Sequence, residues 1–528
     1  MKYRTVYSLF KDRIQKYAAD NVQSRDVFYF RSGDRWQGIS WKCFEEETFD
    51  FATALLSLDL KRDGKVCILM GNVPEWPISD IGTIMAGGVG VGLYPTSSAE
   101  QINYIINHSD AEFVLVDSRE QLQKVLSIRD QLPNVRHIIA LDASDTNGVI
   151  CYGDFIARGR AERSRLESLL KERAEGASPD DIAIMVYTSG TTGPPKGACL
   201  SHRYIINSVE SLRQTIPIYD NDVSFSYLPF CHVAERISGL YNRLYAGASA
   251  YFVDDLARLG EYMLDVKPTV FASLPRFFEK IHARAVADGA SNVKDYFGGR
   301  IRLATSGGAP LPLEIAEFFE AAGLPILQAY GLTENVCVAF NRPDNYKFGT
   351  VGPPMPGCEV RIAPDKEILV RSEMMFSGYY KAPDETEKVF KDGWLLTGDL
   401  GEFDEDGFLK IIGRKKELIV TSTGKKVAPA LLENMIKEHH LISQAMVYGE
   451  ERSYLVALIT VNAPATRDTI QSIIDGVNRR VSSTESIKRF SILDRDFEIE
   501  RDEVTPTGKL KRDVITNRFR EVINELYS

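Results

Sequence analysis

The densest chemistry in the chain lies at Tyr187–Lys196, YTSGTTGPPK, directly after the apolar run IAIMV. Thr188, Ser189, Thr191 and Thr192 carry hydroxyls, and Gly190 and Gly193 leave backbone N–H groups bare. Together such groups can wrap phosphate oxygens. Lys196 adds a point charge, and Pro194-Pro195 stiffens the end of the loop. It is not a Walker A loop, because Pro195 stands where the glycine before the lysine would fall.

Five further motifs follow in order: Ser306-Gly307-Gly308-Ala309-Pro310, Gln328-Ala329-Tyr330-Gly331-Leu332-Thr333-Glu334, Leu396-Thr397-Gly398-Asp399, Gly413-Arg414-Lys415-Lys416 and Thr505-Pro506-Thr507-Gly508-Lys509. In this order and spacing the chain resembles the AMP-forming adenylating superfamily of acyl-CoA synthetases, luciferases and peptide-synthetase adenylation domains, over nearly its whole length. The resemblance implies ATP and CoA as co-substrates and Mg2+ as cofactor. Under it, Gly307–Pro310 forms a backbone wall beside adenine, where glycines allow close approach to a flat ring. Gln328–Thr333 continues the ATP/AMP site. Tyr330 stacks on the purine, Thr333 touches the α-phosphate and Glu334 ligates magnesium, a hard cation that needs few carboxylates when phosphates supply the rest. Asp399 accepts from both ribose hydroxyls, and Arg414 holds the ribose or phosphate edge. Lys509 is the residue expected to carry adenylation. A carboxylate attacks the α-phosphorus of ATP, two anions must meet, and a bridging cation lowers their repulsion in the transition state. Lys416 falls at the family's hinge, and Gly424, Lys425 and Lys426 fall where the family lines its pantetheine channel.

The acid is suggested by Tyr227–Arg236, YLPFCHVAER, which resembles the LPxxHxxER signature of long-chain and very-long-chain acyl-CoA synthetases. This implies that His232 borders the acyl site. Gly239, in the helix that follows and without a side chain, is expected to line the acyl tunnel. The FDxS-type aspartate of amino-acid-activating relatives is absent here. The resemblance therefore implies a fatty acid:CoA ligase that makes acyl-AMP and then acyl-CoA. The alternatives are a medium-chain or aryl acid:CoA ligase, a fatty acyl-AMP ligase that loads a carrier protein, and a non-catalytic nucleotide sensor. The last usually loses the lysine or the magnesium glutamate, and both are present.

These motifs need a scaffold, and composition bounds it. The 528 residues are 44% hydrophobic and 26% charged, an ordinary globular balance. A net charge of −10 leaves no whole-protein basic footprint for nucleic acid. The seven cysteines form no CxxC pair, which argues against a disulfide framework or a zinc knuckle. No secretory h-region opens the chain. The uncharged stretch 81–99 is too rich in glycine for a spanning helix. The expected setting is the cytoplasm, with peripheral contact at the inner face of a membrane compatible with this composition.

Short β-branched runs (65–72, 113–117, 137–142, 182–187, 249–254, 269–274, 301–305) alternate with helical patterns such as 41–56 and 99–107, the latter opened by a Ser98-x-x-Gln101 capping box. Strands spaced by helix-length segments imply parallel α/β sheets. The charged stretch 157–177 reads as a solvated linker helix. After Gly407 the texture turns to lysine-rich strands and short helices. The expected fold is α/β: an N-terminal domain (1–412) of stacked, mostly parallel α/β sheets plus a small barrel-like part, a hinge at 413–416, and a small mobile α+β C-terminal domain (417–528) carrying Lys509.

Overall fold

The computed structural model describes residues 2–18, 25–143, 146–188, 194–290, 292–422, 424–499, 501–505 and 509–528. Its centre is a seven-stranded sheet in the order Val149–Cys151, His137–Ala140, Ala111–Val116, Lys65–Leu69, Val89–Gly92, Ile182–Thr188 and Lys196–Ser201. All neighbours are parallel except the last two, which form a hairpin. The inner strands are apolar on both faces because helices cover both sides, as parallel sheets require. The uncharged stretch 81–99 supplies part of the buried helix Glu75–Met85 and the buried strand Val89–Gly92. No helix among the described residues is long and apolar enough to cross a membrane.

A second sheet runs Val223–Ser226, Ser249–Phe252, Asp26–Ser32, Arg35–Ser40. A third runs Val270–Ser273, Leu303–Ser306, Ile326–Leu332, Asn335–Phe340. The backbone N–H of Thr269 donates to Val223 O at 2.9 Å and joins their edges. The expected barrel-like part is a five-stranded antiparallel sheet between Cys358 and Arg414. Beyond it lie the small hairpin Ile419–Val420/Lys426–Val427 and a three-stranded sheet of Ile442–Tyr448, Leu455–Val461 and Ile487–Ile492, with its own apolar core.

Local signals explain many boundaries. Ser98 Oγ accepts from Gln101 N at 3.3 Å and Gln101 Oε1 from Ser98 N at 3.0 Å, so the capping box opens the helix Ala99–Ser109. The charged stretch differs from its expected solvated state. The helix Tyr152–Glu175 buries Phe155, Ile156, Leu166 and Leu170 on one face. It lies so close to the helix Trp41–Ser57 that a Cβ on Gly159 would fall 1.8 Å from Asp50 O. Arg160 and Arg163 pair with the fully buried Asp50 at 3.1 and 2.7 Å. One small residue and one buried acid thus turn a charged segment into a packed layer.

Candidate functional site

At the two ends of the segment expected to hold phosphate, Thr188 pairs with Lys196 on antiparallel strands. Ser189, Gly190, Thr191, Thr192 and Gly193 lie outside the described residues. Lys196 Nζ forms an ion pair with Glu385, at the start of the helix Pro383–Val389, and sits 5.2 Å from the Tyr379 ring centre. Lys196 and then Lys388 hold the Glu385 carboxyl down to about 2. The Tyr379 hydroxyl donates to Glu334 Oε1. The short helix and the preceding turn thus brace both the loop lysine and the carboxylate. Neither Tyr379 nor Glu385 was singled out from the sequence, where GYYKAPDETEKVF carries no chemical pattern of its own.

The strand Ile326–Leu332 ends in a tight turn into Asn335–Phe340. A Cβ on Gly331 would fall 2.0 Å from Val336 O, so only glycine permits this turn. Thr333 and Glu334 form the turn itself; Tyr204 Oη donates to Thr333 O at 2.9 Å and accepts from Val336 N at 3.0 Å, which fixes it. The adjacent strand delivers Gly307, whose Cβ direction meets Ala329 at 3.6 Å. Gly308 has φ +78°, and Gly308, Ala309 and Pro310 are exposed. Gln328 Oε1 accepts from Leu311 N at 2.9 Å and ties this wall to the strand beside it; Leu332 is half-buried.

Beside Tyr330, Asp399 and Arg414 are paired neighbours on adjacent antiparallel strands. Asp399 Oδ1 lies 2.9 Å from Arg414 Nε, and Oδ2 accepts from Tyr330 Oη at 2.6 Å. Tyr330 therefore presents its ring from a hydroxyl clamped to the acid. Burial and then the Asp399 carboxylate push its phenol well above the ordinary range.

Lys509 follows Pro506, Thr507 and Gly508, which lie outside the described residues. It stands in a hairpin closed by Thr505 N to Lys509 O at 2.8 Å. Its side chain is solvent-accessible, yet crowding by the surrounding protein and then the Arg414 cation lower its pKa, against Asp399, Glu417 and Glu334. The lysine is thus in electrostatic reach of Asp399 and Glu334, which lie 110 and 175 residues away in sequence. His232 is in reach as well. Burial, then Lys509, push its imidazole down to about 4, so it is neutral near pH 7. Its Nδ1 accepts from Ala234 N at 3.2 Å.

His232 leads into a π-helical turn, Ala234–Tyr241, a conformation that concentrates at functional sites. The two charges of the HVAER segment are buried structural anchors. Arg236 forms an ion pair with Asp80, whose Oδ2 also accepts from Tyr241 Oη at 2.7 Å. Glu235 pairs with Arg243 at 2.5 Å and accepts from Ser226 Oγ at 2.7 Å. This corrects the expectation for Gly239. Its Cβ direction meets the Glu235 carboxyl at 2.8 Å, so it faces an ion pair rather than open tunnel.

Lys416 is exposed in the short turn Lys415–Glu417. Its neighbour Lys415 bonds Asp365 at 2.6 Å and Glu367 at 2.8 Å, and Glu417 lies 3.5 Å from Arg512. The turn is thus pinned to one side before Lys416 and to the other after it. Gly424 (φ +74°), Lys425 and Lys426 are exposed on the small hairpin of the C-terminal domain. Among the described residues no group of three or more His, Cys, Asp or Glu could hold a metal ion. A cation held by Glu334 would therefore take most of its ligands from elsewhere.

Known proteins are similar to this chain in sequence and in fold. The chain is 33% identical to the long-chain-fatty-acid–CoA ligase FadD15 of Mycobacterium bovis over 90% of each protein. It is 30% identical to the human long-chain-fatty-acid–CoA ligase ACSBG1, covering 99% of this chain and 85% of that one. Among solved structures, an anthranilate CoA ligase in complex with anthranoyl-AMP superposes with a TM-score of 0.86 at 22% identity, covering 99% of both chains. ATP-bound MatB from Rhodopseudomonas palustris gives 0.79 at 23% identity, over 98% of this chain and 99% of that one. The AMP-binding enzyme profile matches residues 14–380 and the AMP-binding enzyme C-terminal domain profile matches residues 416–528, so the chain belongs to the AMP-binding enzyme family.

Proposed function

We propose that the protein is an AMP-forming fatty acid:CoA ligase acting on long-chain acids. The observation that carries this reading is the set of groups gathered at Asp399, whose carboxylate meets Tyr330 Oη at 2.6 Å and Arg414 Nε at 2.9 Å, with Glu334 held by Tyr379 and Lys509 in electrostatic reach of both acids. The names of the relatives, long-chain-fatty-acid–CoA ligases, support the choice of acid.

Asp399 would hold the ribose and Tyr330 would stack on the base, with Gly307–Pro310 beside it. Lys196 and Thr333 would take phosphate oxygens, Lys196 on release from Glu385. Lys509 would bridge the acid's carboxylate and the α-phosphate, lowering the repulsion between two anions as the new P–O bond forms and pyrophosphate leaves. The single carboxylate of Glu334, oriented by Tyr379, suits a hard cation that keeps phosphate and water ligands. Mg2+ held there would neutralise polyphosphate charge. A neutral His232 adds no second cation to the carboxylate's path. In the second half-reaction CoA brings its own thiol, and rotation at Lys416 would withdraw Lys509 and present Gly424–Lys426 to the acyl-AMP.

The test is pyrophosphate release with a panel of acids, with and without CoA. A long-chain ligase releases pyrophosphate with C12–C16 acids and forms thioester only with CoA. A preference for benzoate or acetate would overturn the long-chain reading, acyl-AMP that CoA cannot discharge would point to a carrier protein as acceptor, and no release with any acid would overturn the activity.

A further inference from the structure

One arginine before the hinge reaches into the domain behind it. Arg276 is the second residue of the helix Pro275–Asp288, three residues after the strand Val270–Ser273. Its Nη2 donates to Ser443 Oγ at 3.0 Å and Asn462 Oδ1 at 3.4 Å, and lies 3.8 Å from Asp496 Oδ2. The three partners come from three stretches of the C-terminal domain and form a built socket. Asp496 accepts from Ser443 Oγ at 2.6 Å and Thr460 Oγ1 at 2.5 Å. Asn462 Nδ2 donates to His440 O at 2.8 Å and Ile442 O at 3.0 Å.

The socket is wired to the hairpin of Lys509. Beside Asp496, Arg495 makes a two-pronged pair with Glu503 at 2.7 and 2.8 Å. Glu503 also accepts from Glu498 N at 3.0 Å and Arg518 at 2.8 Å, and its side chain is fully buried. Its own carbonyl accepts from Lys511 N at 2.8 Å, closing the base of the hairpin in which Lys509 N donates to Thr505 Oγ1 at 3.0 Å. The segment 495–498 thus holds the arginine's socket on one side and the lysine's support on the other.

Resting on the proposed ligase reading, we infer that Arg276 is a positioning residue that latches the C-terminal domain in the orientation that puts Lys509 in the cleft, so that acyl-AMP formation depends on it and thioester formation does not. The strength of the contact suits a latch. Arg276 and Asp496 keep 41% and 42% of their side-chain surface exposed, so the pair is screened and breakable. A fully buried pair would be too costly to open in every turnover. The hydrogen bonds to Ser443 and Asn462 add the geometric selectivity that a point charge lacks.

The experiment uses the full chain with Arg276→Ala and Arg276→Lys. Single-turnover acyl-AMP formation from dodecanoate is compared with thioester formation from supplied dodecanoyl-AMP and CoA. Losing hydrogen bonds from a charged group should slow acyl-AMP formation about tenfold in the alanine variant, as roughly 1.4 kcal/mol implies. The KM for ATP should stay unchanged, because Asp399, Tyr330 and Arg414 are untouched. Thioester formation should match or exceed wild type, Arg276→Lys should recover part of the loss, and an unchanged melting temperature should show that the fold is intact. Equal loss in both halves, full acyl-AMP formation in Arg276→Ala, or a raised ATP KM alone would overturn the latch. If the wild type itself releases no pyrophosphate, the functional reading fails while the latch is still judged by hydrogen exchange. Arg276→Ala should speed amide exchange in peptides spanning 495–511, and unchanged exchange there would overturn it.

Discussion

The support beneath Lys509 makes a prediction in which magnitude and sign both follow from geometry. Glu503 is fully buried and receives two nitrogens of Arg495, one of Arg518 and the Glu498 amide. The bond from Arg495 leads in holding its carboxyl down, from an ordinary 4.5 to about 2. Each tenfold step in acidity is worth about 1.4 kcal/mol, so the cluster contributes roughly 3 kcal/mol to the folded C-terminal domain. Because the folded value lies below the unfolded one, that contribution is fully present above about pH 4.5. It is lost as pH falls from there towards 2. Glu503→Gln should therefore lower stability by about 2–3 kcal/mol at neutral pH, and by much less at pH 3, where the wild type has lost much of the same stabilisation. The measurement is hydrogen exchange or pulse proteolysis of the C-terminal domain in the full-length protein between pH 3 and 7, paired with acyl-AMP formation. If stability falls equally at pH 3 and pH 7, the charge on Glu503 is not what holds the hairpin.

Three further outcomes are expected. Lys509→Ala should slow acyl-AMP formation by about a thousandfold, since one cation–anion contact at about 4 Å in a partly screened site is worth roughly 4 kcal/mol, while thioester formation from supplied acyl-AMP persists; equal losses in the two half-reactions would refute the role. Asp399→Ala should weaken ATP binding by about tenfold or more, because it removes the acceptor and leaves Arg414 and Tyr330 unpaired, which calorimetry with ATP alone would detect. Gly239→Ala should cost about 1–3 kcal/mol in thermal unfolding, because the new methyl falls 2.8 Å from a carboxyl fixed by Arg243 and Ser226. The chain-length profile should stay put, and a shift of the optimum towards shorter acids would return Gly239 to the tunnel.

What the sequence by itself determined is whatever short-range chemistry enforces. The run IAIMVYT is a strand because it is apolar and β-branched, and Ser98 opens a helix because its hydroxyl and Gln101 satisfy each other's backbone N–H groups three residues apart. The order of motifs carried the family, since glycines, an acid and lysines at fixed offsets cannot be permuted and keep that chemistry. The tertiary structure alone decided which groups meet. Lys196 finds Glu385 across 189 residues, Arg276 finds Ser443 across 167, and Tyr330 finds Asp399 across 69. No local pattern marks such partners, because an ion pair leaves no periodicity and its energy exists only once the chain has closed the distance. The same holds where the reading changed. Gly159 became a helix contact because another helix came to lie on it, and Gly239 faces a carboxyl because Arg243 and Ser226 hold Glu235 inside the protein.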